Sequence, residues 1–251
     1  MGNAASTKGA KGTMKDRLER ADKTGIVTLT DAKLKEIPEK IFTIKNLKNL
    51  DLSRNKLSSI PPQLQTFTTL KFLSLSHNSL TTVPLSITYL TTLTTLNLSH
   101  NAITTLPPQL SSLTSLKTLL LSHNNLTTLP LTITSLSTLI TLDVSHNNIT
   151  ALPDPSTVTT KLSSLEEFNL EVNKLTLIQD EWAAVVPGLK TIKLGSNTLK
   201  TFPEAILKVR SVTWIDLKDN VGVNEDELSH LDGYEEYVSR RKNRVDQFLK
   251  T

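Results

Sequence analysis

Leucine recurs along most of the chain in a fixed register with asparagine. The first complete unit reads Leu47-x-x-Leu50-x-Leu52-x-x-Asn55-x-Leu57. Apolar residues that alternate with polar ones, as around Leu50 and Leu52, predict a short strand with one buried face, and the asparagine that follows predicts a turn. The same asparagine recurs at Asn78, Asn101, Asn124, Asn147, Asn173, Asn197 and Asn220, at steps of 23, 23, 23, 23, 26, 24 and 23 residues.

The unit L-x-x-L-x-L-x-x-N-x-L, repeated at this period, is the pattern of leucine-rich repeats. It predicts an α/β fold, a leucine-rich repeat solenoid shaped as a curved horseshoe, in which parallel strands form the concave sheet. Eight full units and one degenerate first unit are present, with Ala32 in the asparagine position of the first. The 26-residue step contains residues 154–160, which we interpret as a bulge in the return segment after Pro153.

Asparagine and proline have backbone roles in the unit. A side-chain amide can bond to main-chain groups of neighbouring turns, which a stack of irregular loops otherwise leaves unpaired, so we expect each repeat asparagine to do so. Proline has a fixed φ and no N–H, which suits the start of the return segment on the convex side. The prolines in phase with the repeat are Pro61, Pro84, Pro107, Pro130, Pro153 and Pro203.

The pattern divides the chain into four parts. They are a disordered, acylated tail (1–13), an N-terminal helical cap (14–25), the nine repeats (26–223) and a C-terminal helical cap (224–251). Gly25 predicts the end of the first cap helix. Near the other end Tyr237, Val238 and Val245 fall on one helical face, which predicts that this helix covers the exposed core of the last repeat.

Composition narrows the function classes. The chain has 251 residues, 28 Lys+Arg against 24 Asp+Glu, and no cysteine. Without cysteine there is no disulfide scaffold, thiolate metal site, cysteine nucleophile or palmitoylation. A net charge of +4 does not indicate nucleic-acid binding. No run approaches the ~20 apolar residues that span a bilayer, and the first thirty residues lack the apolar core of a secretory signal. We therefore expect a cytoplasmic protein.

The chain opens with a lipidation motif. Residues 1–6, Met-Gly-Asn-Ala-Ala-Ser, fit M-G-x-x-x-[ST], in which Gly2 receives myristate after removal of the methionine. One acyl chain binds membranes with a constant of only about 10⁴ M⁻¹, so a second signal is needed. Basic residues of the tail supply that signal, and we expect reversible attachment to the cytosolic face of a membrane. These residues are Lys8, Lys11, Lys15 and Arg17.

The concave face is the expected partner-binding surface, because side chains between the leucines of each strand point away from the core. The middle repeats place hydroxyl groups there, whereas the later repeats place carboxylates and lysines. Phe72, Leu120 and Trp214 are expected to be exposed on this face, either as partner contacts or as the scattered apolar residues common on surfaces. The candidate partner-binding residues are Phe72, Leu120, Glu167, Glu171, Lys193 and Trp214.

Two further clusters allow two interpretations each. His77, His100, His123 and His146 each precede a repeat asparagine, and parallel stacking places them roughly 4.8 Å apart. They either lower one another's pKa and give a weak pH dependence of binding, or reflect duplication of one Ser-His-Asn module. Residues 240–244, Arg-Arg-Lys-Asn-Arg, fit either a nuclear-import or phosphate-binding run or the solvated face of the cap helix.

The sequence does not indicate catalysis. Neither G-x-x-x-x-G-K-[ST] nor G-x-G-x-x-G occurs, and eight glycines leave little room for a phosphate cradle. No set of concave residues combines a nucleophile, a base and an oxyanion donor. A straight row of histidines lacks the convergent geometry of a metal site. We therefore expect no enzyme activity, cofactor, metal, nucleic acid or small-molecule substrate.

Several segments carry a family resemblance. Residues 126–130, Leu-Thr-Thr-Leu-Pro, resemble the intracellular repeats of Ras-suppressor and scribble-type scaffolds. The start Met-Gly-Asn, residues 23–38 and the ending Leu231-Asp232-Gly233-Tyr234-x-x-Tyr237 resemble the leucine-rich repeat-containing protein 57 family. That resemblance implies a small, lipid-anchored protein on the cytosolic side without catalysis. The threonine-rich repeats and residues 154–160 depart from the family pattern.

Together these features predict a non-catalytic scaffold or adaptor. It binds an unidentified protein through the concave face and is held reversibly at a membrane by N-myristoylation, since confinement of two partners to one membrane raises their effective concentration. The alternative is a regulatory subunit or effector scaffold for a small GTPase or a protein phosphatase.

Overall fold

The computed structural model describes residues 20–248, in which nine short strands form one parallel sheet. The strands follow one another across the sheet in chain order, so each repeat adds one strand beside the last. The fold is the predicted leucine-rich repeat solenoid. The strands are β1 Ile26–Thr28, β2 Asn49–Asp51, β3 Phe72–Ser74, β4 Thr95–Asn97, β5 Thr118–Leu120, β6 Thr141–Asp143, β7 Glu167–Asn169, β8 Thr191–Lys193 and β9 Trp214–Asp216.

The core consists of stacked rows of leucine. Each strand's central residue pairs in register with the central residue of the next strand, as Leu50 does with Leu73 and Leu73 with Leu96. These side chains are fully buried. Because no unit of this length can enclose a core alone, each leucine row is buried only by the repeats on either side.

The return segments carry single helical turns. Five of the six in-phase prolines directly precede these turns, as predicted, with φ between −65° and −71°: Pro61, Pro84, Pro107, Pro130 and Pro203. Pro38 does the same in the first unit, whereas Pro153 is separated from its turn by Asp154. The 3-10 turns are Glu39–Thr43, Pro62–Thr66, Pro108–Ser112, Leu131–Ser135 and Pro155–Thr157, and the α-helical turns are Leu85–Thr88, Trp182–Val185, Glu204–Leu207 and Glu225–Leu228. Pro155–Thr157 lies in the 26-residue step, where Asp154 accepts a hydrogen bond from the Ser156 amide.

The repeat asparagine joins three chain segments. The Asn124 side-chain amide donates to the carbonyl groups of Leu121, in its own repeat, and Leu98, in the repeat before, both at 3.0 Å. Its Oδ1 accepts from the Ile103 amide at 3.0 Å. The same pattern holds from Asn55 to Asn220, and it extends to the first repeat, where the Ala32 amide donates to Asn55. The predicted backbone role of the asparagine is confirmed.

The residue before each repeat asparagine, and before Ala32 in the first unit, adopts left-handed backbone geometry. Its φ lies between 51° and 59° at Asp31, Arg54, His77, His100, His123, His146, Val172, Ser196 and Asp219. Residues other than glycine rarely adopt this conformation, so the turn of the repeat imposes it in spite of a steric cost.

Helices occupy both ends of the described chain. Residues 20–24 are helical, and the chain turns at Gly25, whose φ is +68° and whose amide donates to the Ala21 carbonyl. A Cβ at this glycine would lie 2.7 Å from the Asn46 carbonyl oxygen, so a side chain does not fit. Residues 14–19 of the predicted cap and the tail lie outside the described residues.

At the other end the helix Tyr234–Phe248 packs on the last repeat. Tyr237 is buried, and its hydroxyl accepts from the Ile215 amide at 3.2 Å. Val238 and Val245 are exposed, so the expectation that they also cover the core was wrong. Beyond Tyr237 the helix contacts the repeats through arginine side chains rather than through an apolar face. Within residues 20–248, none of the helices combines the length and the apolar composition that a bilayer-spanning helix requires.

Candidate partner-binding site

The strand face, which is the concave face of the sequence prediction, consists of three rows of outward side chains. One row lies at the first position of each strand and includes Phe72, Glu167 and Trp214. A second row at the third position includes Leu120 and Lys193. The third row follows the strands. Its members are Ser53, Ser76, Ser99, Ser122, Ser145, Glu171, Gly195 and Lys218.

In the middle of the strand face the hydroxyl groups bond to one another. The Ser122 hydroxyl donates to Ser99 Oγ at 3.1 Å, and the Ser145 hydroxyl donates to Asp143 at 2.7 Å. Ser76 and Ser99 are nearly inaccessible to solvent. These short side chains project little from the sheet, so the middle repeats present a smooth surface with few protruding groups for a partner to contact.

The charged part of the strand face lies in β7 and β8 and the residues that follow them. Glu167 and Lys193 form an ion pair at 3.2 Å, and Glu166 and Lys190 form another at 2.8 Å. Glu171 lies in the adjacent row, where its amide donates to Asn169. The structure therefore brings together Glu167, Glu171 and Lys193. It also adds Glu166 and Lys190, which lie one residue outside the alternation that defines the face in the sequence.

The three apolar candidates do not form one patch. Phe72 and Leu120 are half-buried rather than exposed, because neighbouring strands crowd their side chains; the expectation of exposure was wrong for both. Trp214 is exposed by 41%, and the Arg241 guanidinium carbon lies 4.9 Å from the centre of its indole ring. Six strand spacings separate Phe72 from Trp214, roughly 29 Å.

The four repeat histidines stack in a continuous row. Their ring centroids are 4.0, 4.1 and 4.0 Å apart and the ring planes deviate by only 10–12°. Burial, and next to it the charges of His77 and His123, lower the pKa of His100; burial and His146 lower the pKa of His123. Parallel rings point their lone pairs in one direction rather than at a common point. No group of three or more potential metal ligands converges within residues 20–248.

The C-terminal basic cluster contacts the last repeats instead of facing solvent throughout. The Arg240 guanidinium donates to the carbonyl groups of Val212, at 3.0 Å, and Leu207. Arg244 donates to the Thr213 hydroxyl at 2.7 Å, and Arg241 lies over Trp214. The interpretation as a solvated helix face was wrong for Arg240 and Arg241, which are half-buried, whereas Arg244 remains exposed.

The lipidation and basic-tail candidates, Gly2, Lys8, Lys11, Lys15 and Arg17, lie outside the described residues.

Sequence reasoning missed the docked arginines, because a contiguous run of charge does not reveal which side chains reach backbone carbonyl groups. It also missed the ion pairs between β7 and β8, since pairing depends on the register of the two strands. Glu166 and Lys190 occupy equivalent repeat positions, and Glu167 and Lys193 lie diagonally across the two strands, so opposite charges at these positions of consecutive repeats are the signal that could have found them.

Comparison with known proteins agrees with this architecture. The sequence profile of the family described as "Leucine rich repeat" matches residues 25–80, 68–126 and 160–221, more than half of the chain. The chain belongs to the leucine-rich repeat family. No curated protein sequence matches it.

Solved structures share the fold. A leucine-rich repeat protein of Leptospira interrogans is similar over 83% of this chain and 81% of its own, at 21% identity and a TM-score of 0.51. TLR13, in a complex with ssRNA13, matches 76% of this chain at 27% identity and a TM-score of 0.66. A TDR receptor matches 74% at 27% identity and a TM-score of 0.59. This chain spans only 28% and 37% of the two receptor chains.

Proposed function

We propose that the protein is a non-catalytic scaffold whose strand face binds a partner protein, and that an N-terminal myristoyl group holds it reversibly on the cytosolic face of a membrane. The charged part of the strand face, in β7 and β8 and the residues that follow them, supports the proposal of partner binding. Glu167, Glu171 and Lys193 lie there beside a smooth row of hydroxyl groups. A partner with complementary charges can therefore bind the strand face in one position along the repeats. The likeness to protein-binding repeat families supports the same reading.

The membrane part of the proposal depends on the tail sequence. Gly2 is the acceptor, and Lys8, Lys11, Lys15 and Arg17 add attraction to anionic lipid, at about 1 kcal/mol for each basic residue near the surface. The terminal segments also suggest membership of the leucine-rich repeat-containing protein 57 family, which is proposed here on those segments alone.

Comparative capture tests the strand-face proposal. The full chain and a variant with Glu171→Lys and Lys193→Glu are expressed in cells and cross-linked, and the co-purified proteins are quantified by mass spectrometry. The matched control changes two exposed return-side residues, Leu85→Ala with Tyr89→Ala, which leaves the strand face intact. We expect a partner that the control retains and the strand-face variant loses at least about tenfold, because reversed charges repel where the native ones attract.

Two results would contradict the proposal. Equal recovery of every protein by both variants would remove the strand face as the binding surface, and loss of a partner only in the control would move the site to the return side. Thermal unfolding of both variants checks that the solenoid is intact. The identity of the partner also decides the alternative, since a small GTPase or a phosphatase among the lost proteins would define a regulatory subunit.

A further inference from the structure

Exposed lysines lie along one edge of the solenoid, where the chain turns into each strand. We call this the entry edge, and it consists of the turns that precede the first five strands, residues 20–25, 44–48, 67–71, 90–94 and 113–117. Its lysines are Lys23, Lys45, Lys48, Lys71 and Lys117. All of them are exposed, and none forms an ion pair within residues 20–248. The entry edge therefore carries positive charge that the folded chain does not compensate.

Backbone hydrogen bonds hold three of these lysines in one row. The Lys48 amide donates to the Gly25 carbonyl at 2.8 Å, and the Lys71 amide donates to the Lys48 carbonyl at 2.7 Å. Thr94 and Lys117 continue the row with bonds of 2.8 Å each. Neighbouring strands are about 4.8 Å apart, so Lys48 and Lys117 lie within about 15 Å of each other. Like charges in such a row repel, and a negatively charged surface beside it relieves the repulsion.

Acidic residues do not cancel this charge. In the turns of the entry edge Asp22 is the one carboxylate, and Arg20 on the same cap helix offsets it. The other carboxylates of the first two units are Asp31, Glu36, Glu39 and Asp51, which lie outside these turns. Five lysines and Arg20 against Asp22 give the entry edge a net charge of +5.

The positive charge is confined to the half of the solenoid next to the tail. Beyond Lys117 the same row continues with Ile140, Glu166, Lys190 and Thr213. Glu166 and Lys190 neutralise each other in their ion pair at 2.8 Å. The described chain begins at residue 20, so the tail joins the solenoid at the end where the free lysines lie.

We propose that the entry edge of the first five repeats docks on an anionic lipid membrane and so fixes the orientation of the solenoid. The inference rests on the proposed membrane tether, to which it adds a folded contact surface. The basic residues of the tail and of the entry edge face the same leaflet, and each one near an anionic surface strengthens attachment. In this orientation β7 and β8 lie away from the tail, and their strand face remains open to the partner protein.

Site-specific labelling tests the orientation. The chain has no cysteine, so a single introduced cysteine is the only site of thiol labelling. An environment-sensitive fluorophore is attached in a Thr91→Cys variant, on the entry edge, or in a Thr127→Cys variant, at an equally exposed position that follows a repeat asparagine. The full chain is mixed with vesicles of phosphatidylcholine and phosphatidylserine in equal amounts, which carry a nitroxide-labelled lipid headgroup. We expect quenching at position 91 and little at position 127, because nitroxide quenching requires close approach.

Matched charge reversals test the lysines. Lys71→Glu with Lys117→Glu should weaken vesicle sedimentation by about tenfold or more, because two attractive charges become repulsive. Lys174→Glu with Lys200→Glu changes the net charge equally at exposed lysines outside the entry edge, and should weaken sedimentation by less than about threefold. Neither pair should alter the weak binding to vesicles of phosphatidylcholine alone. Thermal unfolding checks that both variants are folded.

The tether and the entry edge can fail separately. Each measurement is made on the chain treated with N-myristoyltransferase and on Gly2→Ala at low ionic strength. Equal sedimentation of these two forms would contradict the tether, while the matched reversals would still decide the edge. The edge proposal is overturned if both label positions are quenched equally, if the two charge variants lose equal affinity, or if neither form binds anionic vesicles. Tighter binding to an RNA oligonucleotide than to vesicles, lost in the entry-edge variant, would assign the edge to nucleic acid and also overturn it.

Discussion

The buried asparagine is the residue that makes a stack of irregular loops possible. Its amide satisfies two carbonyl groups and its oxygen one amide, all of which belong to turns that secondary structure leaves unpaired. Asn124 is only 5% exposed, so water cannot replace these bonds. Without the asparagine, the leucine core would still bury these turns, but their backbone N–H and C=O groups would have no hydrogen-bond partners.

Asn124→Ala should therefore destabilise the protein by about 1–3 kcal/mol, the cost of leaving a buried polar group without a partner. Chemical denaturation monitored by circular dichroism measures the change. The adjacent Asn125 is exposed and serves as the matched control, because Asn125→Ala removes an amide of the same size without a buried role. A loss below about 0.5 kcal/mol for Asn124→Ala would contradict the buried-amide role.

Val172 has the least suitable side chain for its backbone. Its φ is 53°, and a β-branched residue in left-handed geometry carries a steric cost of roughly 1–2 kcal/mol. Asparagine tolerates this conformation better, and Val172 is 39% exposed, so little packing is lost. Val172→Asn should raise the free energy of unfolding by about 0.5–1 kcal/mol. Val172→Thr keeps the branched Cβ and should not; equal effects of the two substitutions would argue against strain at this position.

We expect the histidine row to make the stability of the protein depend on pH. The pKa values of His100 and His123 in the folded chain lie below the ordinary value of 6.5. As the pH falls through 6.5 the unfolded chain therefore binds more protons than the folded chain, and stability decreases until the folded histidines are also protonated. The effect is modest, because the rings are exposed.

A double variant isolates this effect. His100→Asn with His123→Asn keeps a residue that tolerates positive φ and removes the two shifted imidazoles. Between pH 7.5 and 5.5 the wild-type Tm should fall by about 1–2 °C more than that of the variant. His230→Asn, outside the row, should behave as wild type. Parallel Tm curves for wild type and the double variant would show that the stacked rings do not affect stability.

At the scale of elements, the C-terminal helix is held by side-chain bonds to backbone rather than by a long apolar face. Arg240 reaches the carbonyl groups of Val212 and Leu207, and burial lowers its pKa. Lys208 adds ion pairs to Asp232 at 2.7 Å and Glu204 at 3.0 Å, and their hydrogen bonds raise its pKa to about 12. The helix thus closes the solenoid through a few polar contacts and one buried tyrosine.

Removal of the arginine should loosen this closure. Arg240→Ala should cost about 1–3 kcal/mol, because two carbonyl groups lose a charged donor. The exposed Lys242 lies on the same helix, and Lys242→Ala should change stability by less than about 0.5 kcal/mol. Urea denaturation of both variants compares them. Equal stability of the two would mean that Arg240 does not hold the helix to the repeats.

The sequence predicts those structural features whose cause lies within one repeat and recurs in every repeat. The leucine rows, the asparagine bonds and the prolines at the return segments recur in every unit, so one unit explains them all. The sequence does not predict features that depend on contacts between side chains of different repeats or elements. The half-burial of Phe72, the pairing of Glu167 with Lys193 and the docking of Arg240 follow from strand register and helix placement. Gly222 is another example: a Cβ there would lie 2.7 Å from the Lys200 Cα.

At the scale of the whole molecule, the proposed function combines a rigid binding surface with a weak membrane tether. A solenoid presents its side chains in fixed rows, so the specificity of the strand face is set by which repeats carry charge. A single acyl chain with a few basic residues, as we propose for the tail, would give reversible membrane binding and would concentrate the protein where its partner lies. The two proposed functions reside in different parts of the chain, so a change in one should leave the other intact.

The most direct test of this account compares wild-type protein with Gly2→Ala in cells, by membrane fractionation and intact-mass analysis. The account predicts a myristate mass on the wild type, recovery of wild type with membranes, and loss of both in the variant while strand-face capture persists. An unmodified wild type that stays wholly in the soluble fraction would contradict the membrane tether and leave a binding scaffold without one.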